Sequence, residues 1–344
     1  MNTEIIKTDG LSVDGETLSR AADIIRRGGL VVFPTETVYG LGGDGTNADA
    51  AKRIYAAKGR PSDNPLIIHV AKPEDAEAYA HTNETYYHLA KAFMPGPLTV
   101  ILPKKEIVPF SVTGGLDTVA IRCPSHPIAR QLIAACGVPI AAPSANLSGK
   151  PSPTCARHVI DDLCGRVDMI IDGGDCEIGL ESTIVKLDGD KAILLRPGAI
   201  TADALRCVCS SVEIATAVLT QLDANERPQS PGMKYRHYAP EAPLILLDGT
   251  EADIVAFLKK ERANHKCAVL CYSEEIRVLG GEYMIDIGCA DDVETQARKL
   301  FTALREADTF GVDVIYAHLP QKDGLGLALY NRMIRAAAHT IRKV

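Results

Sequence analysis

The segment VVFPTETVYGLGGDG, residues 31–45, indicates that this chain has an α/β fold. Its apolar start predicts a buried strand, and Asn47, a residue type that caps helices well, opens the helical pattern NADAAKRIYAAKG. Gly40, Gly42 and Gly45 match the G-x-G-x-x-G fingerprint of dinucleotide-binding domains. However, PTETVY separates the strand from the first glycine, and no acidic residue ends a second strand about 20 residues later. We therefore interpret the glycines as a turn from strand to helix.

On both sides of this segment, strand patterns alternate with helix patterns. Further strand patterns before residue 200 are PLIIHV, LTVILP, TVAIRCP, PIAAPSA, MIIDGG, STIVKLD and AILLRPG. Several of them follow one another without a helix pattern between them, which is typical of a mixed α/β sheet. After residue 240, a regular series of strands and helices predicts a small, doubly wound α/β domain. We expect a mixed-sheet domain over 1–208, a linker over 209–240 and a second domain over 241–344.

Length and composition limit the possible function classes. The chain has 344 residues, enough for two domains with their own cores. Its net charge of -7, without a basic run, argues against wide-surface binding of nucleic acid. Its start has no signal-peptide pattern and no stretch is long enough to cross a membrane, so we expect a cytoplasmic protein. Ten cysteines without a C-x-x-C pair favour reduced, mostly buried thiols over disulfides or a zinc site.

The segment AAKGRPSDNPLIIHV concentrates hydrogen-bonding groups in a predicted loop. Lys58 and Arg60 follow a helix pattern, and Ser62, Asp63 and Asn64 precede the next strand pattern. Cations at this position could simply offset the dipole of the helix. The alternative is a ligand-binding loop beside the strands, where open α/β sheets commonly bind ligands.

Short polar side chains also follow the strand pattern PIAAPSA. Ser144, Asn146, Ser148 and Ser152 lie in a loop that proline stiffens. Such side chains suit hydrogen bonding to a phosphate or a sugar. They would equally suit an ordinary loop that caps the next helix.

Three arginines, Arg60, Arg122 and Arg196, each lie near the end of a predicted strand. Singly, each is typical of an ordinary surface position. Together they suit the binding of carboxylates or phosphates, because a guanidinium group donates two parallel hydrogen bonds. The chain has no nucleophile elbow and no H-E-x-x-H motif. Positioning and charge neutralisation are therefore favoured over covalent catalysis.

The segment SPGMKYRHYAP, residues 230–240, is unusual for a linker. It carries two cations, a histidine and two tyrosines in five consecutive positions. A plain tether between domains is expected to be small and polar. The composition therefore indicates a function beyond joining two domains.

Seven motifs in order carry a resemblance to a known family. They are PTETVYGLG, KGRP with NPL, MPGPLT, APSANLSG, ESTIV, LRPGAI and SPGMKYRHYAP. From about Leu11 to Pro240 the chain closely resembles the two-domain threonylcarbamoyl-AMP synthases. The resemblance implies a YrdC-like catalytic domain, with a strongly twisted mixed sheet around a concave, positively charged pocket. A small Rossmann-like domain would follow it.

The resemblance also implies a reaction. An enzyme of this family is a nucleotidyltransferase that makes L-threonylcarbamoyl-adenylate and pyrophosphate from L-threonine, bicarbonate and ATP. Mg²⁺ would be bound mainly through the ATP phosphates rather than by protein ligands. The product would pass to the tRNA threonylcarbamoyl transferase machinery, which modifies the adenosine next to the anticodon. Neither stable nucleic-acid binding nor membrane association is expected.

The same resemblance implies roles for individual residues. Those that match the family's K-x-R…S-x-N signature, and are expected to be catalytic, are Lys58, Arg60, Ser144 and Asn146. Those expected around threonine are Thr37, His69, Arg122, Ala142 and Ser182. Those expected around ATP are Arg60, Asn64, Thr118, Ser144, Ser152 and Arg196.

The linker is expected to close over the pocket as a lid. Lys234, Arg236 and His237 would meet the phosphates, while Tyr235 or Tyr238 would pack against the pocket mouth. Closure would exclude water from a labile carbamate and a labile mixed anhydride. The alternative is that the tyrosines only attach the linker to the first domain.

Two other functions compete with this interpretation. One is a carbamoyl-adenylate-forming enzyme of another pathway, which would keep the fold and change the acceptor. The other is an RNA-binding module that uses the concave basic pocket, against which the negative net charge argues.

Overall fold

The computed structural model describes residues 2–220, 230 and 238–344. The chain divides into two compact units, each with a sheet of its own. Unit 1 consists of Met1–Ser148 with Ser152–Lys234, and unit 2 of Gly149–Pro151 with Tyr235–Val344. The expected domain limits at residues 208 and 241 stay a prediction.

Within the described residues, the sheet of unit 1 has eleven strands. In chain order these are β1 (Glu4–Lys7), β2 (Val31–Phe33), β3 (Gly40–Asp44), β4 (Ile67–His69), β5 (Leu98–Pro103), β6 (Thr118–Arg122), β7 (Ile140–Ala141), β8 (Met169–Asp172), β9 (Thr183–Asp188), β10 (Lys191–Arg196) and β11 (Ser211–Ile214). Their order across the sheet is β1-β8-β2-β3-β7-β4-β6-β5-β9-β10-β11. The pairing of β4 with β6 is parallel and that of β5 with β6 antiparallel, so the predicted mixed sheet is confirmed.

Helices and short 3₁₀ segments connect these strands. The helices are α1 (Gly15–Arg26), α2 (Ala48–Lys58), α3 (Glu84–Phe93), α4 (Phe110–Thr113), α5 (Pro127–Cys136), α6 (Ala156–Leu163) and α7 (Ala202–Arg206), and the 3₁₀ segments are Pro73–Ala78 and Thr216–Val218. Asn47 caps α2 as predicted, because its side chain accepts hydrogen bonds from the backbone N–H groups of Asp49 and Ala50. Gly59 ends α2 in the left-handed conformation, with φ 61°.

An apolar core supports the sheet next to the loop that follows β2. Ile25 of α1 and Leu132 of α5 pack with Phe33 of β2 and Ile171 of β8. All four side chains are fully buried. Burial on this scale contributes about 25 cal/mol for each Å² of apolar surface removed from water. The core therefore provides a rigid base for residues 34–39.

The glycine-rich segment forms a strand rather than the predicted turn. Gly40–Asp44 is β3, which pairs antiparallel with β2. A Cβ atom on Gly42 would lie 2.8 Å from Phe33 Cε1 and 2.7 Å from Ile140 Cγ2. The glycines thus allow Phe33 and Ile140 to pack directly on the backbone of β3, which a local pattern does not reveal.

Strand β11 lies beyond the predicted end of the first domain. Ser211–Ile214 pairs in parallel with β10 and extends the sheet of unit 1 past residue 208. The sequence pattern is weak there because β11 is an edge strand with an alternation of exposed and half-buried residues.

Unit 2 contains a parallel sheet covered by helices. Its strands are β12 (Leu244–Asp248), β13 (Cys267–Cys271), β14 (Met284–Asp286), β15 (Val314–His318) and β16 (Ile341–Lys343), in the order β14-β13-β15-β12-β16. Its helices are α8 (Glu251–Asn264), α9 (Ile276–Leu279), α10 (Val293–Thr309) and α11 (Gly326–Ala336). All four strand pairings are parallel, so the predicted doubly wound arrangement is confirmed.

The pattern LALYNRMIRAAAHTIRK predicts one C-terminal helix, and the observed helix is shorter. Helix α11 ends at Ala336, and Ala338 and His339 have φ values of 46° and 64°. These left-handed residues cannot continue a right-handed helix, and the chain turns into β16.

The cysteines are free thiols, as predicted. Six of the ten are buried, and no disulfide links any of them. Burial raises the pKa of the Cys123 thiol to about 11 and that of Cys136 to about 12. Such thiols pack as small apolar groups. Among the described residues, no helix has the length and apolar character needed to cross a membrane.

Candidate functional site

A row of buried polar side chains crosses the centre of the sheet in unit 1. His69 of β4 is paired with Arg122 of β6, and Arg122 is paired with Thr99 of β5. Paired residues on neighbouring strands present their side chains on the same face of a sheet. All three are buried, with relative exposures of 3%, 4% and 0%.

The row continues onto the next two strands through hydrogen bonds. The hydroxyl oxygens of Thr99 and Ser182 lie 2.7 Å apart. Arg196, the last residue of β10, donates from Nη2 to Ser182 Oγ at 3.1 Å and from Nε to the Ser182 carbonyl at 2.9 Å. We call His69, Arg122, Thr99, Ser182 and Arg196 the polar row.

His69 is neutral in this environment. Burial, followed by the nearby Arg122 guanidinium, lowers the pKa of His69 from 6.5 to about 3. Its Nδ1 lies 3.2 Å from the Ile67 carbonyl and 3.3 Å from the Ile140 carbonyl. Because carbonyl oxygens only accept, Nδ1 carries the proton and Nε2 is an acceptor.

Arg122 has a carboxylate partner that the sequence analysis did not identify. Its Nη2 donates to Glu36 Oε1 at 2.7 Å, and the side chains of both residues are about 95% buried. Glu36 lies between Thr35 and Thr37, within the quoted PTETVY segment. The only local signal is a carboxylate inside an otherwise apolar and hydroxyl-rich stretch. Thr99, within the quoted MPGPLT motif, was missed in the same way.

Thr37 and Ala142 lie close to this end of the row. The hydroxyls of Thr37 and Thr35 are 2.9 Å apart, and both residues are buried. The backbone N–H of Ala142 donates to the Ile67 carbonyl at 2.8 Å, two residues before His69. Of the five residues expected to surround the substrate threonine, four therefore belong to β4 or β6 or are hydrogen-bonded to β4 or β5.

Lys58 forms the centre of a second cluster. Its Nζ donates to the carbonyls of Ser144 and Asn146, each at 2.5 Å, and to Asn146 Oδ1 at 3.3 Å. Ser144 Oγ donates to Asn146 Oδ1 at 2.6 Å. The structure thus brings together three members of the K-x-R…S-x-N signature. Lys58 is 2% exposed and is the last residue of α2, so a cation in the last turn of the helix also binds the carbonyls of a distant loop.

Arg60 and Asn64 form part of the loop that follows α2. Arg60 Nη2 donates to the carbonyls of Asn64, at 3.2 Å, and Pro65, at 3.0 Å. Arg60 lies at the end of a helix rather than of a strand, in contrast to Arg122 and Arg196.

The remaining expected ATP residues occupy separate positions. Ser152 Oγ donates to Glu181 Oε1 at 2.5 Å, and both residues are buried. Thr118 begins β6, whereas Arg122 ends it. At 3.3 Å per residue, the two lie about 13 Å apart along the strand.

Lys234, Tyr235, Arg236 and His237, the expected lid residues, lie outside the described residues. Tyr238 is described and packs inside unit 2. Its ring stacks on Phe301 with centroids 5.1 Å apart, and it is 5% exposed. The ring of Tyr238 therefore packs against unit 2, and the expected contact of Tyr235 or Tyr238 with the pocket mouth stays a prediction.

One group of possible metal ligands occurs among the described residues. Glu274, Cys289 and Asp291 of unit 2 have ligand atoms within 4.8 Å of one another, and all three residues are exposed. In the two clusters of unit 1, the carboxylates of Glu36 and Glu181 already accept hydrogen bonds. Cations, hydroxyls and amides dominate there, which suits anionic ligands better than a bare metal ion.

Two family models match the chain. The Sua5/YciO/YrdC model, described as "Telomere recombination", matches residues 23–198. A model described as "Threonylcarbamoyl-AMP synthase, C-terminal domain" matches residues 200–338.

Curated relatives match over nearly their full lengths. The chain is 48% identical to the threonylcarbamoyl-AMP synthase of Pyrococcus abyssi, over 94% of this chain and 95% of the relative. It is 46% identical to the enzyme of the same name from Bacillus subtilis, over 96% and 95% of the two chains. The corresponding protein of Schizosaccharomyces pombe is 37% identical, over 93% and 88%.

Solved structures agree with these relationships. Sua5 of P. abyssi complexed with L-threonine is 44% identical and covers the whole of both chains, with a TM-score of 0.90. Escherichia coli YciO is 26% identical with a TM-score of 0.52, and covers 57% of this chain and 96% of its own. The order of the seven motifs, both family models and the full-length relatives lead to one conclusion: this chain belongs to the two-domain threonylcarbamoyl-AMP synthase family.

Proposed function

We propose that the chain makes L-threonylcarbamoyl-adenylate and pyrophosphate from L-threonine, bicarbonate and ATP. The observation that carries the proposal is the polar row, which links two buried arginines, Arg122 and Arg196, through Thr99 and Ser182. Burying two guanidinium groups is costly unless anions or acceptors meet them. A site for an amino acid beside a triphosphate meets this requirement.

The end of the row at His69 suits threonine. The guanidinium group of Arg122 can donate two parallel hydrogen bonds to the carboxylate of the amino acid. The neutral His69 offers Nε2 as an acceptor, which fits the hydroxyl of threonine. The hydroxyl of Ser182, near Arg122, and the backbone at Ala142 would complete the pocket, together with Thr37. The threonine complex of the P. abyssi protein supports this assignment.

The end of the row at Arg196 suits the nucleotide. Arg60 and Arg196 would neutralise phosphate charge, and the short polar side chains of Asn64, Ser144 and Ser152 would orient the phosphates and the ribose. Thr118, about 13 Å along β6 from Arg122, would contact a more distant part of ATP. Lys58 holds the carbonyls of the Ser144–Asn146 loop and would act by shaping that loop.

The reaction places few demands on a protein nucleophile. The unprotonated amine of threonine attacks the carbon of bicarbonate, and a C–O bond breaks as water leaves, which gives a carbamate. A carbamate oxygen then attacks the α-phosphate as pyrophosphate leaves in line. Alignment and charge neutralisation supply most of the catalysis in such steps. Magnesium, when bound through phosphate oxygens, would add positive charge at the leaving group. The donor groups of the site fit this mode of binding, because cations, hydroxyls and amides supply them rather than a cluster of carboxylates.

The proposed product is a labile mixed anhydride, so a later reaction must use it before it hydrolyses. We propose that it passes to the tRNA threonylcarbamoyl transferase machinery, in the cytoplasm, without stable binding of nucleic acid by this chain. The net charge of -7 agrees with weak affinity for a polyanion.

The first test is pyrophosphate release with ATP, magnesium and bicarbonate, with and without L-threonine. The nucleotide product is identified by mass spectrometry. Release that depends on threonine, with a threonylcarbamoyl-adenylate product, supports the proposal. Release without threonine dependence would point to another carbamoyl acceptor. No release, together with a salt-dependent gel shift of tRNA, would favour the RNA-binding alternative.

An arginine variant adds a test of the site. Arg122→Gln should raise the KM for threonine by about 10- to 100-fold, because a charge-assisted contact contributes about 1.5–3 kcal/mol. The matched control is Arg20→Gln, an arginine of α1 whose side chain is 47% exposed in a surface ion pair with Glu4. An equal KM in both variants would contradict the assignment of Arg122.

A further inference from the structure

Glu36 is a buried carboxylate with an unused acceptor. Its Oε1 accepts from Arg122 Nη2 at 2.7 Å. Its Oε2 and the Nε of Arg122 are both buried, and no group among residues 2–220, 230 and 238–344 hydrogen-bonds to either atom. An unsatisfied buried polar atom lowers stability, and more so when it is charged. The ion pair thus presents one acceptor and one donor that a ligand can satisfy.

The backbone around Glu36 is held in place. Thr35 Oγ1 donates to the Val38 carbonyl at 2.7 Å and accepts from the N–H groups of Thr37 and Val38, each at 3.2 Å. The Glu36 carbonyl accepts from the N–H of Ile178 at 2.9 Å. The carboxylate is therefore anchored on both sides, and its free oxygen is a preorganised acceptor.

The two unsatisfied atoms match the two charges of a free α-amino acid. Arg122 Nε can donate to the substrate carboxylate, and Glu36 Oε2 can accept from the substrate ammonium. The two charges of the substrate and the charges of Arg122 and Glu36 then alternate in sign. We infer that Glu36 binds the α-ammonium of threonine and makes the site selective for amino acids over carboxylates that lack an amine.

This inference deepens the proposed function and rests on it. The charge of Glu36 also explains how such selectivity arises. A ligand with a carboxylate but no ammonium would meet Arg122 and the like charge of Glu36 together, and repulsion would weaken its binding. A ligand with both charges satisfies both residues. Negative charge at residue 36 therefore attracts one ligand class and rejects the other.

The experiment compares two ligands on wild-type protein and on Glu36→Gln by isothermal titration calorimetry. The ligands are L-threonine and (R)-3-hydroxybutanoate, which is threonine without its amine. Wild type should bind threonine at least about 10-fold more tightly than hydroxybutanoate. In Glu36→Gln, threonine affinity should fall by about 10- to 100-fold, the range for a charge-assisted hydrogen bond. Hydroxybutanoate affinity should stay the same or rise, because the like charge is gone.

A merely structural role for Glu36 predicts a different result. If Glu36 only positions Arg122, the variant should lose affinity for both ligands equally. That outcome, or unchanged threonine affinity, would overturn the inference. Wild-type protein that binds no threonine would overturn the proposed function as well, which separates the two failures.

Two further variants act as controls. Glu36→Asp keeps the charge and withdraws it by one methylene, so it should retain the preference for threonine while binding it more weakly. Glu275→Gln makes the same chemical change at another buried carboxylate, which lies in unit 2, 2.8 Å from His318 Nε2. It should bind both ligands as wild type does. If Glu36→Gln fails to fold, Glu36→Asp keeps the inference testable, because weaker threonine binding with unchanged hydroxybutanoate binding is expected only if the carboxylate of residue 36 contacts the ammonium.

Discussion

Lys58 shows how one buried cation can organise a loop. It is 2% exposed, and its partners include the backbone carbonyls of Ser144 and Asn146 and the side-chain oxygen of Asn146. A buried ammonium group is tolerated only when acceptors surround it. The Ser144–Asn146 loop supplies those acceptors, so the loop and the lysine stabilise each other.

Replacing Lys58 with methionine should lower the free energy of unfolding by about 1–3 kcal/mol, because two buried carbonyls lose their shared donor. The measurement is denaturant unfolding of the full chain. The matched control is Lys52→Met on the same helix, whose ion pair with Asp49 is largely exposed. It should change stability by less than about 0.5 kcal/mol. Equal effects at the two lysines would contradict the role of Lys58.

His69 predicts a pH dependence of stability. The folded chain resists protonation of His69 until about pH 3, whereas the unfolded chain protonates it near 6.5. The unfolded state therefore binds more protons between these values, and stability falls as the pH falls through that window. His69 contributes at most about 1.4 kcal/mol per pH unit to this slope.

The pH prediction is tested by comparing unfolding free energies at pH 7 and pH 5. His69→Gln should show a shallower loss of stability than wild type over this range. His88→Gln, at an exposed position of α3, is the control and should keep the wild-type slope. A variant at residue 69 with the full wild-type slope would show that other groups cause the loss.

At the scale of elements, the packing of β3 depends on its glycines, because they leave room for neighbouring side chains. Gly42→Ala would place a Cβ atom 2.7 Å from Ile140 Cγ2 and 2.8 Å from Phe33 Cε1. We expect a loss of about 1–3 kcal/mol from overpacking, measured by thermal or denaturant unfolding. Gly15→Ala is the control, since a Cβ there meets nothing within 4 Å at the start of α1. If it is neutral or stabilising while Gly42→Ala is not, packing rather than backbone freedom explains the glycine at β3.

At the scale of the whole molecule, the described residues of the polar row all belong to unit 1. Unit 2 has a buried polar pair of its own, in which His318 Nε2 lies 2.8 Å and 3.0 Å from the two oxygens of Glu275. Glu275→Gln should lower thermal stability, by about 1–3 kcal/mol, without changing threonine affinity. Glu306→Gln, at an exposed position of α10, is the stability control. A large loss of threonine affinity in Glu275→Gln would show that unit 2 contributes to binding.

The α/β class, the doubly wound second unit and the family were predictable from local patterns. Strand and helix periodicity act over a few residues, and seven motifs in order are specific enough to identify a family. The same motifs contain Lys58, Ser144, Asn146, Ser182 and Arg196, so several polar residues of the site were named before any geometry was known. Helix caps such as Asn47 could also be predicted from the sequence, because a cap contacts only its own helix.

Only the tertiary structure decided which of these residues meet. Glu36 and Arg122 are 86 positions apart, and Thr99 and Ser182 are 83 apart, so no local pattern links them. The loop that follows β2 brings Glu36 to Arg122, and the pairing of β5 with β9 brings Thr99 to Ser182. Strand pairing also turns the glycine-rich segment into β3. The sequence alone determined the elements and the chemical groups, since these depend on neighbouring residues. The polar row and its unused acceptor at Glu36 depend on the register of distant strands, which is set by packing of the whole sheet.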